Sequence, residues 1–376
     1  MSRELSARIA EHFQELTDPR RREVMYPLVN MVVMALCAVL SGADDFVSIA
    51  RWAEKKKEWL ATFLDMSAGV PSHDRFNAVL GALKPAEFET CLLSWITAVH
   101  EITDGQVIAI DGKTLRGSFD AASSKAAIHM VSAWATTNRV SLGQVVTDEK
   151  SNEITAIPKL LEILKIQGCL VTIDAMGCQR NIAEQIVAAE ADYVLAVKDN
   201  QPKLCEQVRK FFSEQLEDDL TSVPHRRCET HEKGHGREDD RYYYLAKLPE
   251  DFPLDEPWPH LKAIGMAVRV TRTTGGKETS DVRYYCASRY LSGAKFAEAV
   301  RGHWGIENSL HWQLDVTFGE DQCRIRKGYA DVNFSLLRRA ALGLLKNNAT
   351  EKVGVKNKRL CAAWDDDYRL QVLCGA

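Results

Sequence analysis

Two short aliphatic runs, each closed by an aspartate, constrain this chain more than any other feature. Residues 107–110 read Val-Ile-Ala-Ile and lead into Asp111-Gly112-Lys113. Residues 169–173 read Cys-Leu-Val-Thr-Ile and lead into Asp174. Apolar runs this short, rich in β-branched residues and without polar alternation, suit strands buried on both faces. Strand patterns also cover residues 128–134 and 141–147, a helical pattern covers 154–164, a second helix covers 182–191, and a last strand covers 193–197.

The predicted order is therefore three strands, helix, strand, helix, strand. That is the chain of a ribonuclease-H-like fold, an α/β sheet with helices on both sides. In this arrangement the first and fourth strands are neighbours, so Asp111 and Asp174 are expected to face each other beyond the strand ends, where functional groups gather. Two carboxylates that close repel unless a divalent cation lies between them. Hard oxygen ligands suit Mg²⁺ or Mn²⁺, and two such ions about 4 Å apart can activate a nucleophile and stabilise a leaving oxygen in phosphodiester chemistry. An aspartate after a strand is also a common turn or cap residue. It is the joint placement of the two that points to a metal.

A third acid is expected from a later helix. The segment Arg301-Gly-His303-Trp-Gly-Ile-Glu307-Asn-Ser-Leu-His311-Trp312 spaces two histidines and a glutamate four apart, hence on one helical face. This stripe, with Trp304 and Trp312 beside it, is too polar for ordinary core. Its spacing is not the HExxH pattern of zinc hydrolases. Cys228, His231 and His235 also have ligand-like spacing, but no fourth ligand accompanies them.

Around this core the chain divides into further regions. Residues 1–104 read as an all-helical N-terminal domain, with apolar residues at helical spacing over 7–16, 28–40, 46–63 and 86–100. The core occupies 105–200. Residues 201–290 read as a β-rich insertion with strands over 241–248, 262–274 and 281–288, after a polar stretch at 223–240. Residues 291–345 hold the last acidic helix and the one after it, and 346–376 read as a basic C-terminal tail. The formal charge of −4 excludes a globally basic nucleic-acid binder, yet residues 322–376 carry 11 Lys and Arg against 5 Asp and Glu. The longest apolar run, 28–40, is too short for a bilayer, which needs about 20 residues. Ten scattered cysteines without a CxxC pair suit reduced thiols in a cytoplasmic protein.

Particular passages then resemble the DDE transposases of the bacterial ISAs group, the H-repeat-associated type. They are IAIDGKTLRGS at 108–118, TDEKSNEITAIPKLL at 147–161, TIDAMGCQ at 172–179, HEKGHGRE at 231–238, VRYYCAS at 282–288 and HWGIENSLHWQLDVTFGEDQCRIRKG at 303–328. Nearer the start, DPR at 18–20, LSGADD at 40–45 and PSHDRFN at 71–77 are similar to that group's helical segment. The resemblance implies a ribonuclease-H-like catalytic core and carries the triad onto Asp111, Asp174 and Glu307, which would hold two Mg²⁺ or Mn²⁺ ions. It implies hydrolysis and strand transfer at the terminal inverted repeats of an insertion sequence. The partners would be double-stranded element-end and target DNA, with a homodimer in the active complex and the nucleoid as the place of action. In the broader class a Tyr-x2-Arg-x3-Glu-x6-Lys signature surrounds the last acid; here the outer positions are Val300, His303 and Leu314.

Charge and place nominate DNA contacts: Lys113 and Arg116 after the first aspartate, Lys198 and Asn200 after the last core strand, and Arg237 in a Gly-rich turn. Arg301 and His303 join them beside the third acid. Two other outcomes share these residues: a structure-selective nuclease that cuts without joining, and a transposase-derived DNA-binding protein without catalysis.

Overall fold

The computed structural model describes residues 9–21, 24–99, 106–115, 118, 127–147, 153–234 and 236–375. Its centre is one mixed sheet of nine strands: β1 (Val107–Leu115), β2 (Ile128–Ala135), β3 (Val140–Val146), β4 (Leu170–Ile173), β5 (Asp192–Val197), β6 (His225–Gly234), β7 (Arg237–Lys247), β8 (Ala263–Thr273) and β9 (Glu278–Ala287). They lie in the order β3-β2-β1-β4-β5-β9-β8-β7-β6. β1 to β3 form an antiparallel meander, whereas β4 and β5 run parallel to β1. The helices Glu153–Ile163 and Arg180–Ala188 supply the crossovers that parallel strands require. The first and fourth strands are thus neighbours, as expected.

The β-rich insertion is part of this same sheet. β9 pairs antiparallel with β5, joining Val194 to Ala287 and Val197 to Tyr284, and three further strands follow it outward. β6 lies in the polar stretch that gave no strand pattern. Its sequence, HRRCETHEKG, has no apolar face because it is the outer edge of the sheet, where charged residues block pairing with another chain.

Residues 28–99 contain helices only. The helix Leu28–Leu40 is apolar almost all round and is buried almost all round. Asp45 caps the helix Phe46–Lys55 by accepting from Ser48 N at 2.7 Å, and the expected helix over 46–63 breaks at Lys56. The helix His73–Ala82, capped by Ser72, falls where only a motif had been noted. These helices do not own a separate core. One apolar cluster runs from Ile9 to Leu373, and the long helix Ala330–Asn347 is the element that joins it. That helix packs on Leu28–Leu40, His73–Ala82, Pro85–Val99 and β3, with 16 of its 18 residues buried.

The expected basic tail is instead folded. Helices Val355–Trp364 and Asp366–Cys374 pack against the N-terminal helices, and Lys358, Arg359 and Arg369 are buried in them. Arg359 donates to Val39 O, Thr317 O and Ala43 O and pairs with Asp44, while Lys358 donates to Leu345 O and Asn348 O. Arg338 and Arg339 are each 2% exposed. Part of the local positive charge therefore satisfies main-chain carbonyls and buried acids, while Arg324, Lys327, Lys352 and Lys356 remain exposed. Among the described residues no helix is long and apolar enough to cross a membrane.

Candidate functional site

The two aspartates come together because of where strand pairing stops. β1 and β4 pair in parallel as far as Ile110 and Ile173, and the next residue on each is Asp111 or Asp174. β1 does not end there, contrary to expectation. It continues to Leu115 by pairing with β2, with Asp111 opposite Ser132, so Asp111 is fixed inside a strand whose β4 side has just opened. Asp174 also shapes its own turn, accepting from Met176 N at 3.0 Å and Gly177 N at 3.2 Å. Turn and cluster roles coexist in this residue.

The third acid is delivered by the helix Gly293–Ile306, which crosses β1. Gly302 permits the close crossing, since a Cβ there would sit 3.3 Å from Val107 Cγ1 and 3.2 Å from Thr136 Cγ2. The regular helix gives way at Glu307 to a single π-helical turn, Glu307–His311, a feature frequent at functional sites. His311 is buried, with Nδ1 3.5 Å from Asp111 Oδ2 and 3.9 Å from Glu307 Oε2. Its Nε2 is buried without a partner among the described residues.

Two donor groups result, and Asp111 belongs to both. Asp111, Glu307 and His311 form one, and Asp111, Glu153 and Asp174 form the other; in each, the ligand-type atoms all lie within 4.8 Å of one another. Burial pushes the Asp111 carboxyl up to about 8, and the nearby charges of Glu307, Glu153 and Asp174 add to the rise. Burial also raises Asp174, which Gly177 N–H and Lys198 partly offset. Glu307 is held low chiefly by its contact with His311. Burial lowers His311, and lowers His303 to about 4, so His303 is neutral near pH 7 and brings no charge to a phosphate.

The nominated DNA contacts divide. Lys113 is only 8% exposed and its Nζ lies 2.5 Å from Asp315 Oδ1 and 2.9 Å from Glu320 Oε2. Burial would raise Glu320, but Arg339 and Lys113 hold it down to about 2, so these groups form a buried charge network beneath the site. Lys113 is therefore not a phosphate contact. Asn200 ties down the Asp174 loop by donating to Ala175 O and Cys178 O. Arg116 lies outside the described residues, as does His235 of the zinc-like trio. Lys198 is exposed and shares a cavity of about 300 Å³ with Asp174, His303 and Trp304.

Arg237 and Arg301 meet in a neighbouring cleft of about 360 Å³ between the insertion strands and the helix Gly293–Ile306. Arg241, Arg269 and Arg283 line it too, and none of the three had been nominated. Strand register gathers them: Arg241 pairs with Arg269 across β7 and β8, and Asp239 beneath accepts from Arg241, Arg269 and Thr271. Arg283 lies 3.9 Å above the ring of the half-exposed Trp304. The passages around 237 and 283 were visible in the sequence, but their common face is a product of β8, which lies between them.

Comparison with known proteins identifies the family of the chain. The family described as "Transposase DDE domain" matches residues 102–344, and that described as "DDE_Tnp_1-associated" matches residues 10–96. The chain is 39% identical to the "H repeat-associated putative transposase YhhI" of Escherichia coli K12, over 98% of each chain. It is 39% identical to the "Putative transposase YncI" of Escherichia coli O157:H7, over 97% of this chain and 94% of that one. A Xanthobacter autotrophicus protein, described as "Uncharacterized protein in dhlA 3'region", is 37% identical over 73% of this chain and 92% of its own.

Proposed function

The chain belongs to the DDE transposase family, and from that premise we propose that it is a metal-dependent transposase that hydrolyses and rejoins DNA strands at insertion-sequence ends. Asp111, Asp174 and Glu307 would hold two Mg²⁺ or Mn²⁺ ions, which supply nucleophile activation and charge stabilisation at the scissile phosphate. The observation that carries this reading is the state of Asp111. Three further carboxylates, Glu307, Glu153 and Asp174, converge on it with no arginine or lysine in either donor group among the described residues, and burial with their charge raises its carboxyl to about 8. A divalent cation is the group that resolves such repulsion, and an oxygen-rich donor set suits a hard one.

The residues of the chain position and hold. The close crossing at Gly302 sets Glu307 over β1, His311 orients Glu307 and Asp111, and the Lys113–Glu320–Arg339 network keeps the strand beneath them rigid. The arginine cleft lies beside Trp304, one helical turn from Glu307, and supplies a path for the phosphates of a DNA strand. Lys198 guards the Asp174 side. The N-terminal segment, residues 1–104, engages element ends, and a homodimer pairs the two ends in the cytoplasm, on the nucleoid.

A strand-transfer assay with Mg²⁺ and DNA carrying the terminal inverted repeats tests this. Joined products support the transposase. Cutting without joining identifies a nuclease, and binding without either identifies a transposase-derived DNA-binding protein.

A further inference from the structure

One carboxylate near the acids is at neither a strand end nor the acidic helix. Glu153, first residue of the helix Glu153–Ile163, has an oxygen within 4.8 Å of the ligand-type oxygens of both Asp111 and Asp174. Its side chain is 16% exposed. Placing a third carboxylate there without a cation is unfavourable, so something must hold it in place.

Two devices do so. His129 Nε2 lies 2.9 Å from Glu153 Oε1, while His129 Nδ1 lies 2.9 Å from Thr114 Oγ1. An ionised carboxylate only accepts, so Nε2–H donates to Glu153 and the Thr114 hydroxyl completes the ring's second contact. Thr114 and His129 are direct partners in the β1–β2 register, so this chain of contacts is built into the hairpin that carries Asp111. Gly112 supplies the room. A Cβ at that position would stand 2.1 Å from Glu153 Oε1 and 2.6 Å from His129 Nε2. A glutamate that served only the helix dipole would be better left in water, with no space cleared for it in a facing strand.

The other side of Asp111 is prepared in a matching way. His311 is 5% exposed, aims Nδ1 at Asp111 Oδ2, and leaves Nε2 unpartnered. Asp111 thus stands between an all-oxygen group and a group containing an imidazole.

We propose that Glu153 is a fourth carboxylate of the metal centre, completing an oxygen donor set with Asp111 and Asp174, and that His129 and Gly112 are its positioning residues. This rests on the metal-dependent reading above. It separates the roles of the acids: Glu153 and Asp174 would act on one side of Asp111, and Glu307, oriented by His311, on the other.

The test is Mn²⁺ binding to the metal-free, full-length protein without DNA, with free Mn²⁺ followed by electron paramagnetic resonance. Glu153→Gln keeps the shape of the side chain and removes its charge. It should weaken one of two Mn²⁺ sites by about tenfold or more and leave the other unchanged. Gly112→Ala, which displaces Glu153, should do the same. His129→Leu should weaken the same site less, and should add nothing in a protein already carrying Glu153→Gln, because it acts through that residue. If Glu153→Gln loses its cooperative melt, Glu153→Asp takes its place, and the shorter reach should also weaken that site. Unchanged Mn²⁺ affinity in the folded Glu153 variant, with binding lost in Asp111→Asn, overturns the assignment of Glu153 alone. Unchanged binding in both overturns the metal centre as well.

Discussion

Replacing Asp111 with asparagine should stabilise the metal-free protein, and the size of the effect should depend on pH. In the folded chain burial first, then Glu307, Glu153 and Asp174, raise this carboxyl from 3.8 to about 8. The folded state therefore holds a proton that the unfolded chain releases near pH 4. Between those values the folded state binds more protons, so stability falls as pH rises. Four pH units at about 1.4 kcal/mol each set a ceiling of ~5–6 kcal/mol, fully developed above pH 8 and absent below pH 4. Asparagine keeps the shape and removes the titration. Urea unfolding in a chelator, at intervals from pH 5 to pH 8, should show wild type losing stability against Asp111→Asn by several kcal/mol across the range. Saturating Mg²⁺ should reverse the order at pH 8, because binding to the folded state alone adds stability that the variant lacks. A variant no more stable than wild type at pH 8 in chelator would refute the picture of an acid cluster waiting for a cation.

Glu307→Gln should fold and bind DNA yet lose Mg²⁺-dependent cleavage by roughly two orders of magnitude or more, whereas Asp315→Asn should retain most of it in the same gel assay. Lys113→Met removes the cation between Asp315 and Glu320 and should lower unfolding free energy by ~3 kcal/mol in a denaturant titration, with Mn²⁺ affinity retained. Arg283→Ala should lower the slope of log affinity against log salt by about 0.9 if that arginine meets a phosphate, read by fluorescence anisotropy on element-end DNA. An unchanged slope would restrict Arg283 to its contact with Trp304.

The strand-end aspartates were legible because a buried parallel strand has a distinctive composition and because pairing of the first and fourth strands follows from their order. Glu307 was legible from helical spacing, although the π-turn that shifts the residues after it was not, since no local composition marks it. Glu153 was invisible for a physical reason: a glutamate in the first turn of a helix is favourable anywhere, and only the missing Cβ of Gly112, forty-one positions earlier, reveals that this one turns inward. Lys113 was read as a DNA contact, and Arg338, Arg339 and Arg359 entered only the basic excess of 322–376, because a charge in a sequence does not announce its partner. Glu320 and Asp44, which neutralise three of them, lie in segments that gave no sign of burial. β6 escaped because an edge strand solvated on both faces has no apolar period to detect.

The pairing of β5 with β9 has a bearing on how the protein is made. Val194 leaves the ribosome long before its partner Ala287, so the inner half of the sheet carries an open, apolar strand edge while roughly ninety more residues are synthesised. Two of the acids are already present at that stage, yet the edge beside them is a template for aggregation. A message or reading frame cut within 201–287 would yield a chain with Asp111 and Asp174 in place and no way to close its sheet. Such a chain would keep the β5 edge unpaired, which favours aggregation over a closed fold.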